Sequence, residues 1–315
     1  MSVKTVRGPA SGEDVGFDSE GCTLAGTFQP AHDPFAAALL IVGSGRTDRN
    51  SDVRLPGGQR LRGGITRAVA ETLAAEGVST LRYDKRGVGA SGGDYRTTGM
   101  QQRLADARAA RGWLSARSAG MPLLAIGHSE GTYYAAQLAA DAAVAGAVLL
   151  SGSARTGAEI NAWQVEQLAD KLPSATRLIL KLMRTDVARS QRKNQDKIMA
   201  SSADVIRMQG VRVNARWIRD FIRYDPAPAL SRVTVPVLAI TGGHDLQVPP
   251  ADVDTIGALV RGPFEGHVVG DLSHLLRPDP QSTGPRGYRR ATRQPVSAEV
   301  LALVTAWVQR HWGPA

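Results

Sequence analysis

Between residues 123 and 140 the chain reads LLAIGHSEGTYYAAQLAA, and its period changes in the middle. A short apolar run, the pattern of a strand buried on both faces, gives way to small residues at helical spacing. The junction is Gly127-His128-Ser129-Glu130-Gly131. One serine between two glycines at a strand-to-helix junction suits a surface turn. It also suits a sharp elbow that lifts a hydroxyl off the end of a sheet. The rest of the chain decides between these readings.

The same alternation recurs from end to end. Apolar runs AAALLIV, VSTLRY, VAGAVLLS, VPVLAITG and GHVV read as strands. The helical patterns between and after them are ITRAVAETLAA, MQQRLADARAARGWLSAR, a stretch near 252–260, and SAEVLALVTAWVQRHW. Strands apolar at every position are buried on both faces, which implies an α/β fold with a mostly parallel central sheet flanked by helices. Near the start, apolar and polar residues alternate around Glu20-Gly21, like an antiparallel hairpin. Residues 154–232 interrupt the alternation and read as helices. They are expected to form a cap inserted between two strands of a core made of 1–153 and 233–315. Residues 278–295, rich in Pro, Gly and Arg, read as a surface loop.

Composition narrows the function classes. Cys22 is the only cysteine, so no intrachain disulfide forms, which fits a reducing compartment. The first residues lack the apolar segment of a secretory signal. No run reaches the ~18 apolar residues of a membrane span. A soluble, cytoplasmic protein without stable membrane insertion is expected. The net charge is +9, and residues 153–232 hold 4 Lys and 11 Arg against 8 acidic residues. Neither zinc-finger spacing nor an RNA-binding aromatic motif accompanies that excess, so it reads as a solvated face and not as a nucleic-acid surface. The Gly-rich GSGRTDRN lacks the lysine and spacing of a phosphate loop, and no metal-ligand spacing appears. No cofactor or metal is expected.

In open parallel sheets, reactive groups gather at the carboxyl ends of strands. Those ends carry Gly43-Ser44-Gly45, Asp84, Ser129, Ser151 and Asp245, and His274 follows the last strand. A serine hydroxyl is a poor nucleophile until a base takes its proton. Ser129, Asp245 and His274 supply nucleophile, acid and base in the chain order Ser, Asp, His. The Glu130 N–H, at the start of the following helix, is expected to be one oxyanion donor and the Ser44 N–H the other. His267 begins a strand at the wrong end of the sheet, and His244 abuts Asp245 too closely to be oriented by it. His128 is expected to face away as a packed histidine. Asp84 with Arg86, and Asp48 with Arg49, read as ion pairs bracing loops.

The segments VGSGRTDRN, LRYDKRGVGASGG, GHSEG, YDPAPALSRVTVPVLAITGGHDLQVP and SHLLRP occur in that order. On them the chain, from about residue 14 to 312, resembles the α/β-hydrolase superfamily. Within it, the likeness is to bacterial serine esterases of the serine-aminopeptidase-like, S33-like branch. The resemblance implies Ser129 as nucleophile, Asp245 as acid and His274 as base. Two positions depart: Val42 stands where many relatives carry histidine, and Thr132 follows GHSEG where glycine or alanine is common, narrowing the floor of the pocket.

A serine nucleophile disfavours dehalogenase and epoxide-hydrolase chemistry. GHSEG also differs from the Gly-Gly-Ser-Trp-Gly elbow of prolyl aminopeptidases. The expected activity is that of a carboxylesterase acting on small to medium acyl esters, a small-molecule substrate. Thioesterase and amidase or peptidase chemistry would use the same triad, and a non-enzymatic receptor or scaffold would share the fold. Oligomeric state is not legible. In the cap, the apolar clusters Leu178, Ile179, Leu180, Leu182, Met183 and Trp217, Phe221, Ile222 are expected to roof an acyl pocket, with Met183 and Trp217 touching substrate.

Overall fold

The apolar runs become the sheet. The computed structural model describes residues 12–54, 59–170, 187–208, 210–283 and 287–314. Strands β1 (Glu13–Ser19) and β2 (Cys22–Gln29) form the hairpin, with Ser19 opposite Cys22. Both turn residues have positive φ, Glu20 at 51° and Gly21 at 75°, the twist that two-residue hairpin loops favour. The alternation then runs through β3 (Ala36–Ile41), the short pair β4 (Val53–Arg54) and β5 (Arg60–Leu61), α1 (Ile65–Ala75), β6 (Val78–Tyr83), α2 (Met100–Arg117), β7 (Leu123–His128), α3 (Gly131–Ala140) and β8 (Gly146–Leu150).

Among the described residues, five elements and then a short helix precede the return to the sheet. The five are α4 (Gly157–Asp170), α5 (Val187–Ala200), the hairpin β9 (Val205–Met208) and β10 (Val211–Asn214), and α6 (Ala215–Arg223). After α7 (Ala227–Leu230) come β11 (Val237–Gly242), α8 (Asp252–Leu259), β12 (Phe264–Val269), α9 (Tyr288–Ala291) and α10 (Ala298–Trp312). The main sheet has eight strands in the order β1-β2-β6-β3-β7-β8-β11-β12. Pairing is parallel from β6 to β12 and antiparallel where β1 and β2 extend the edge.

Why β3 is apolar at every position is visible in its packing. Ala37, Leu39 and Ile41 join the layer formed with α2 and α3, while Ala36, Ala38 and Leu40 join the layer under α1 and α10. Successive side chains of a strand point to opposite faces, so a strand between two helical layers buries both sets. Each Leu so buried contributes about 1.5–3 kcal/mol.

The segment between β8 and β11 leaves the sheet, although those two strands are neighbours in it, with Ala147 opposite Val237. The sequence suggested helices throughout. Instead, β9 and β10 pair through Val205–Asn214 and Met208–Val211. Leu178, Ile179, Leu180, Leu182 and Met183 lie outside the described residues. At the end of the hairpin, the Asn214 side chain accepts the Trp217 N–H at 2.8 Å and donates to the carbonyls of Tyr95 and Thr98. Asp220 accepts the N–H of Met100 at 3.0 Å. These bonds tie α6 to the start of α2, above the carboxyl ends of the strands. Among the described residues, no helix is long and apolar enough to cross a membrane.

Candidate active site

β7 hands over to α3 at Ser129, whose φ is +54°. That left-handed conformation costs a non-glycine residue about 1–3 kcal/mol and persists only where the surroundings impose it. Here they do: the Ser129 N–H donates to the Leu150 carbonyl at 2.9 Å. The flanking glycines are steric necessities. A Cβ on Gly127 would lie 2.3 Å from the Gly131 carbonyl, and one on Gly131 would lie 2.2 Å from the Ile41 carbonyl oxygen.

β11 ends one turn before Asp245. The carboxylate is fixed on three sides: Oδ1 accepts the N–H groups of Gln247 at 2.8 Å and Val248 at 3.0 Å, and Oδ2 lies 2.8 Å from His274 Nδ1. The side chains of Asp245 and His274 are 0% and 5% exposed. A carboxylate only accepts, so Nδ1 carries the proton and the Nε2 lone pair is free to act as a base. His267 sits opposite Ile240, two residues short of the carboxyl end of β11, and pairs with Glu265 at 2.8 Å. His244 Nδ1 donates to the Asp279 carbonyl. Neither bonds Asp245.

His128 does not face away. Its Nε2 lies 2.9 Å from the His274 carbonyl, and the two rings are 5.1 Å apart. Burial, and next the proximity of His274, push its pKa down to about 3, so the ring stays neutral and Nε2–H donates to that carbonyl. The structure thus sets the His274 loop directly against the residue preceding Ser129.

Two N–H groups next to Ser129 find no hydrogen-bond acceptor among the described residues: those of Ser44 and Glu130. In each case the carbonyl at the other end of the same peptide is held. Gly43 O accepts from Lys85 Nζ at 2.5 Å, and Ser129 O accepts from Thr132 Oγ1 at 2.6 Å. Thr132 is therefore not part of the pocket floor but a clamp on the elbow.

The Glu130 side chain was not foreseen as a hub. It is buried and takes two 2.8 Å bonds from Arg103 Nη1, one from Tyr134 Oη at 2.5 Å and one from Trp217 Nε1 at 2.9 Å. Burial raises its pKa, but Arg103, Lys85 and these donors outweigh burial and hold the carboxyl below its ordinary range. Arg103 also stacks over the rings of Tyr95 and Trp217. Burial, then the like charge of Arg103, push Lys85 down to about 7, opposed by Glu130.

The sequence profile of the S33 serine aminopeptidases matches residues 58–275, a span that contains Ser129, Asp245 and His274. The chain belongs to this hydrolase family. Esterase EstD of Thermotoga maritima is 24% identical over 307 residues, covering 95% of this chain and 68% of the relative. Among solved structures, Est1E of Butyrivibrio proteoclasticus with bound ferulic acid superposes at a TM-score of 0.59. It is 17% identical, covering 94% of this chain and 96% of that one. A Pyrococcus furiosus esterase superposes at 0.60 with 18% identity, covering 96% and 92%. These likenesses make the fold that of the α/β hydrolases.

In this S33-family hydrolase, Ser44, Ser129 and Glu130 line one cleft with Tyr133, Ser151, Ser153, Ile160, Gln164, Trp217, Phe221, Gln247 and Val248. The lining is more polar than the sequence suggested. Gln164, Trp217 and Phe221 also line an adjoining cavity of about 1100 Å³, counting the solvent at its mouth. Its remaining walls include Asn161, Gln191, Gln195, Ile198, Val213 and Ile222. Trp217 and Phe221 stack at 5.2 Å and 12° between the two spaces.

The loop braces exist with other partners than expected. Asp84 pairs with Arg49 at 2.9 Å, Arg86 with Asp106 at 2.7 Å, and Asp48 with Arg60 at 2.6 Å. The long Arg49 and Arg86 side chains reach across the sheet edge to strands and helices far away in sequence, which neighbourhood along the chain does not reveal.

Proposed function

We propose that this hydrolase is a carboxylesterase in which Ser129, His274 and Asp245 act as a triad and residues 154–232 form a cap over the core. The observation that carries this reading is the buried 2.8 Å Asp245–His274 pair beside a strained serine flanked by two unengaged N–H groups. An ester-hydrolysing activity also accords with EstD and with the esterases that share its fold.

Ser129 Oγ attacks the ester carbonyl carbon while His274 Nε2 takes its proton. Asp245 holds the ring and stabilises the imidazolium. The tetrahedral oxyanion is received by the Ser44 and Glu130 N–H groups, each such donor worth ~3–4 kcal/mol in the transition state. Collapse expels the alcohol, which takes the proton back from Nε2. Water, deprotonated by His274, then attacks the acyl-enzyme, releasing the carboxylic acid and restoring Ser129.

The cleft favours esters over the peptides the family name suggests. Binding a free amino terminus calls for an available carboxylate. The carboxylate in the cleft lining is Glu130, whose oxygens are already engaged by Arg103, Tyr134 and Trp217. We assign the small cleft to the reacting acyl group and the cavity beyond Trp217 to the longer part of a small to medium ester. A short p-nitrophenyl ester tests the reading. One equivalent of p-nitrophenol released in a burst, followed by steady turnover, is the expected result; its absence, with no turnover, would leave a non-enzymatic binding protein.

A further inference from the structure

We propose that Lys85 is a positioning residue for the oxyanion step: its ammonium holds the loop carbonyls on both sides of Ser44 and thereby aims the Ser44 N–H at the cleft. The inference rests on the reading of Ser44 as an oxyanion donor and goes beyond it by naming what makes the donor point the right way.

The argument starts from peptide planarity. The Gly43 carbonyl and the Ser44 N–H are opposite ends of one trans peptide, so fixing the oxygen fixes the direction of the hydrogen. Lys85 Nζ donates to Gly43 O at 2.5 Å and to Gly45 O at 2.6 Å. The carbonyl between them, Ser44 O, accepts from Thr47 Oγ1 at 2.6 Å. Three consecutive carbonyls are thus tied by side chains. Loop 43–45 is glycine on either side of Ser44, and Gly45 takes φ +75°. Such a loop has many conformations open to it and would otherwise rotate freely about Ser44.

Lys85 is well placed for this task and for little else. It follows β6 by two residues and is 6% exposed, so water competes little for its ammonium. The charges that act on it are Arg103 from α2 and Glu130 from the elbow; the Tyr95 ring lies 5.9 Å away. Below about pH 7, where Lys85 is protonated, Lys85, Arg103 and Glu130 together carry one net positive charge next to the 43–45 loop. While it is present, such a charge in a water-poor site favours the developing oxyanion over the neutral ester.

Replacing Lys85 by Met keeps the length and removes both donors and the charge. The expected result is a loss of about 100-fold or more in kcat, the scale for losing one oxyanion donor, with KM changed less than about threefold. Affinity for a trifluoromethyl ketone, which forms an anionic adduct with the serine, should fall in parallel with kcat. Affinity for the matching methyl ketone should not. A purely structural lysine would move the melting temperature and leave the ratio of the two ketones alone. Lys85→Gln is carried alongside in case the methionine variant does not fold, with at least a tenfold kcat loss expected. A folded variant of either kind with kcat and the ketone ratio within about threefold of wild type overturns the proposal. Wild-type protein that gives neither a burst nor turnover with p-nitrophenyl acetate would instead overturn the esterase reading itself.

Discussion

His128 donates its Nε2–H to the backbone carbonyl of His274 across 2.9 Å, which joins the strand that leads into Ser129 to the loop that carries His274. Either protonation state of His128 could donate this bond; burial is what keeps the ring neutral. Burial first, and His274 second, lower its pKa to about 3, against about 6.5 in an unfolded chain.

A consequence for stability follows. Between pH 6.5 and 3 the unfolded chain binds a proton at this position and the native state does not, so acidification favours unfolding. Linkage puts the loss at about 2 kcal/mol between pH 7.5 and 5. His128→Gln should show a correspondingly shallower decline in urea-unfolding free energy over that range. Parallel declines in the two proteins would mean that His128 titrates normally.

The assignment of acid and base separates Asp245 and His274 from their neighbours. Asp245→Asn can still touch the ring but favours the wrong tautomer, so kcat should fall by up to about 10⁴-fold. His267→Gln loses a surface pair with Glu265 and should change kcat less than about twofold. Steady-state kinetics on p-nitrophenyl esters reads both. A His267 variant as inactive as His274→Ala would reassign the base.

Trp217 is held by Glu130 and stacked on Phe221 at the passage between the cleft and the cavity. Trp217→Phe keeps a ring there and Trp217→Ala opens the passage. The acyl-length profile of kcat/KM should shift in the alanine variant, by about 1–3 kcal/mol between neighbouring substrates, and much less in the phenylalanine variant. Truncation that lowers the melting temperature while leaving both profiles as in wild type would make Trp217 cap core only.

Much of this architecture was legible because strands such as β3 are apolar at every position and lead into glycine. α2, Met100–Arg117, was readable to its ends, from the glycine before it to the small polar residues after it. The elbow was legible because Gly127 and Gly131 mark places where no Cβ fits. The β9–β10 hairpin was missed although Val205–Met208 and Val211–Asn214 flank a glycine with φ +82°. Among the described residues its strands pair only with each other, and each is 4 residues long, too short for its alternation to stand out. Lys85 was hidden for a different reason: it serves backbone carbonyls, which leave no mark in side-chain spacing. Glu130 was noticed for its N–H, while its side chain gathers partners from positions 27 residues before and 87 after it.

The central claim is that Ser129 is the nucleophile. Ser129→Ala removes the hydroxyl and nothing else from the elbow, so the variant should melt close to wild type. Its kcat on a short p-nitrophenyl ester should fall by about 10⁴-fold or more, because members of a triad act as a unit. A folded Ser129→Ala protein that keeps about a tenth of the wild-type rate would contradict the account.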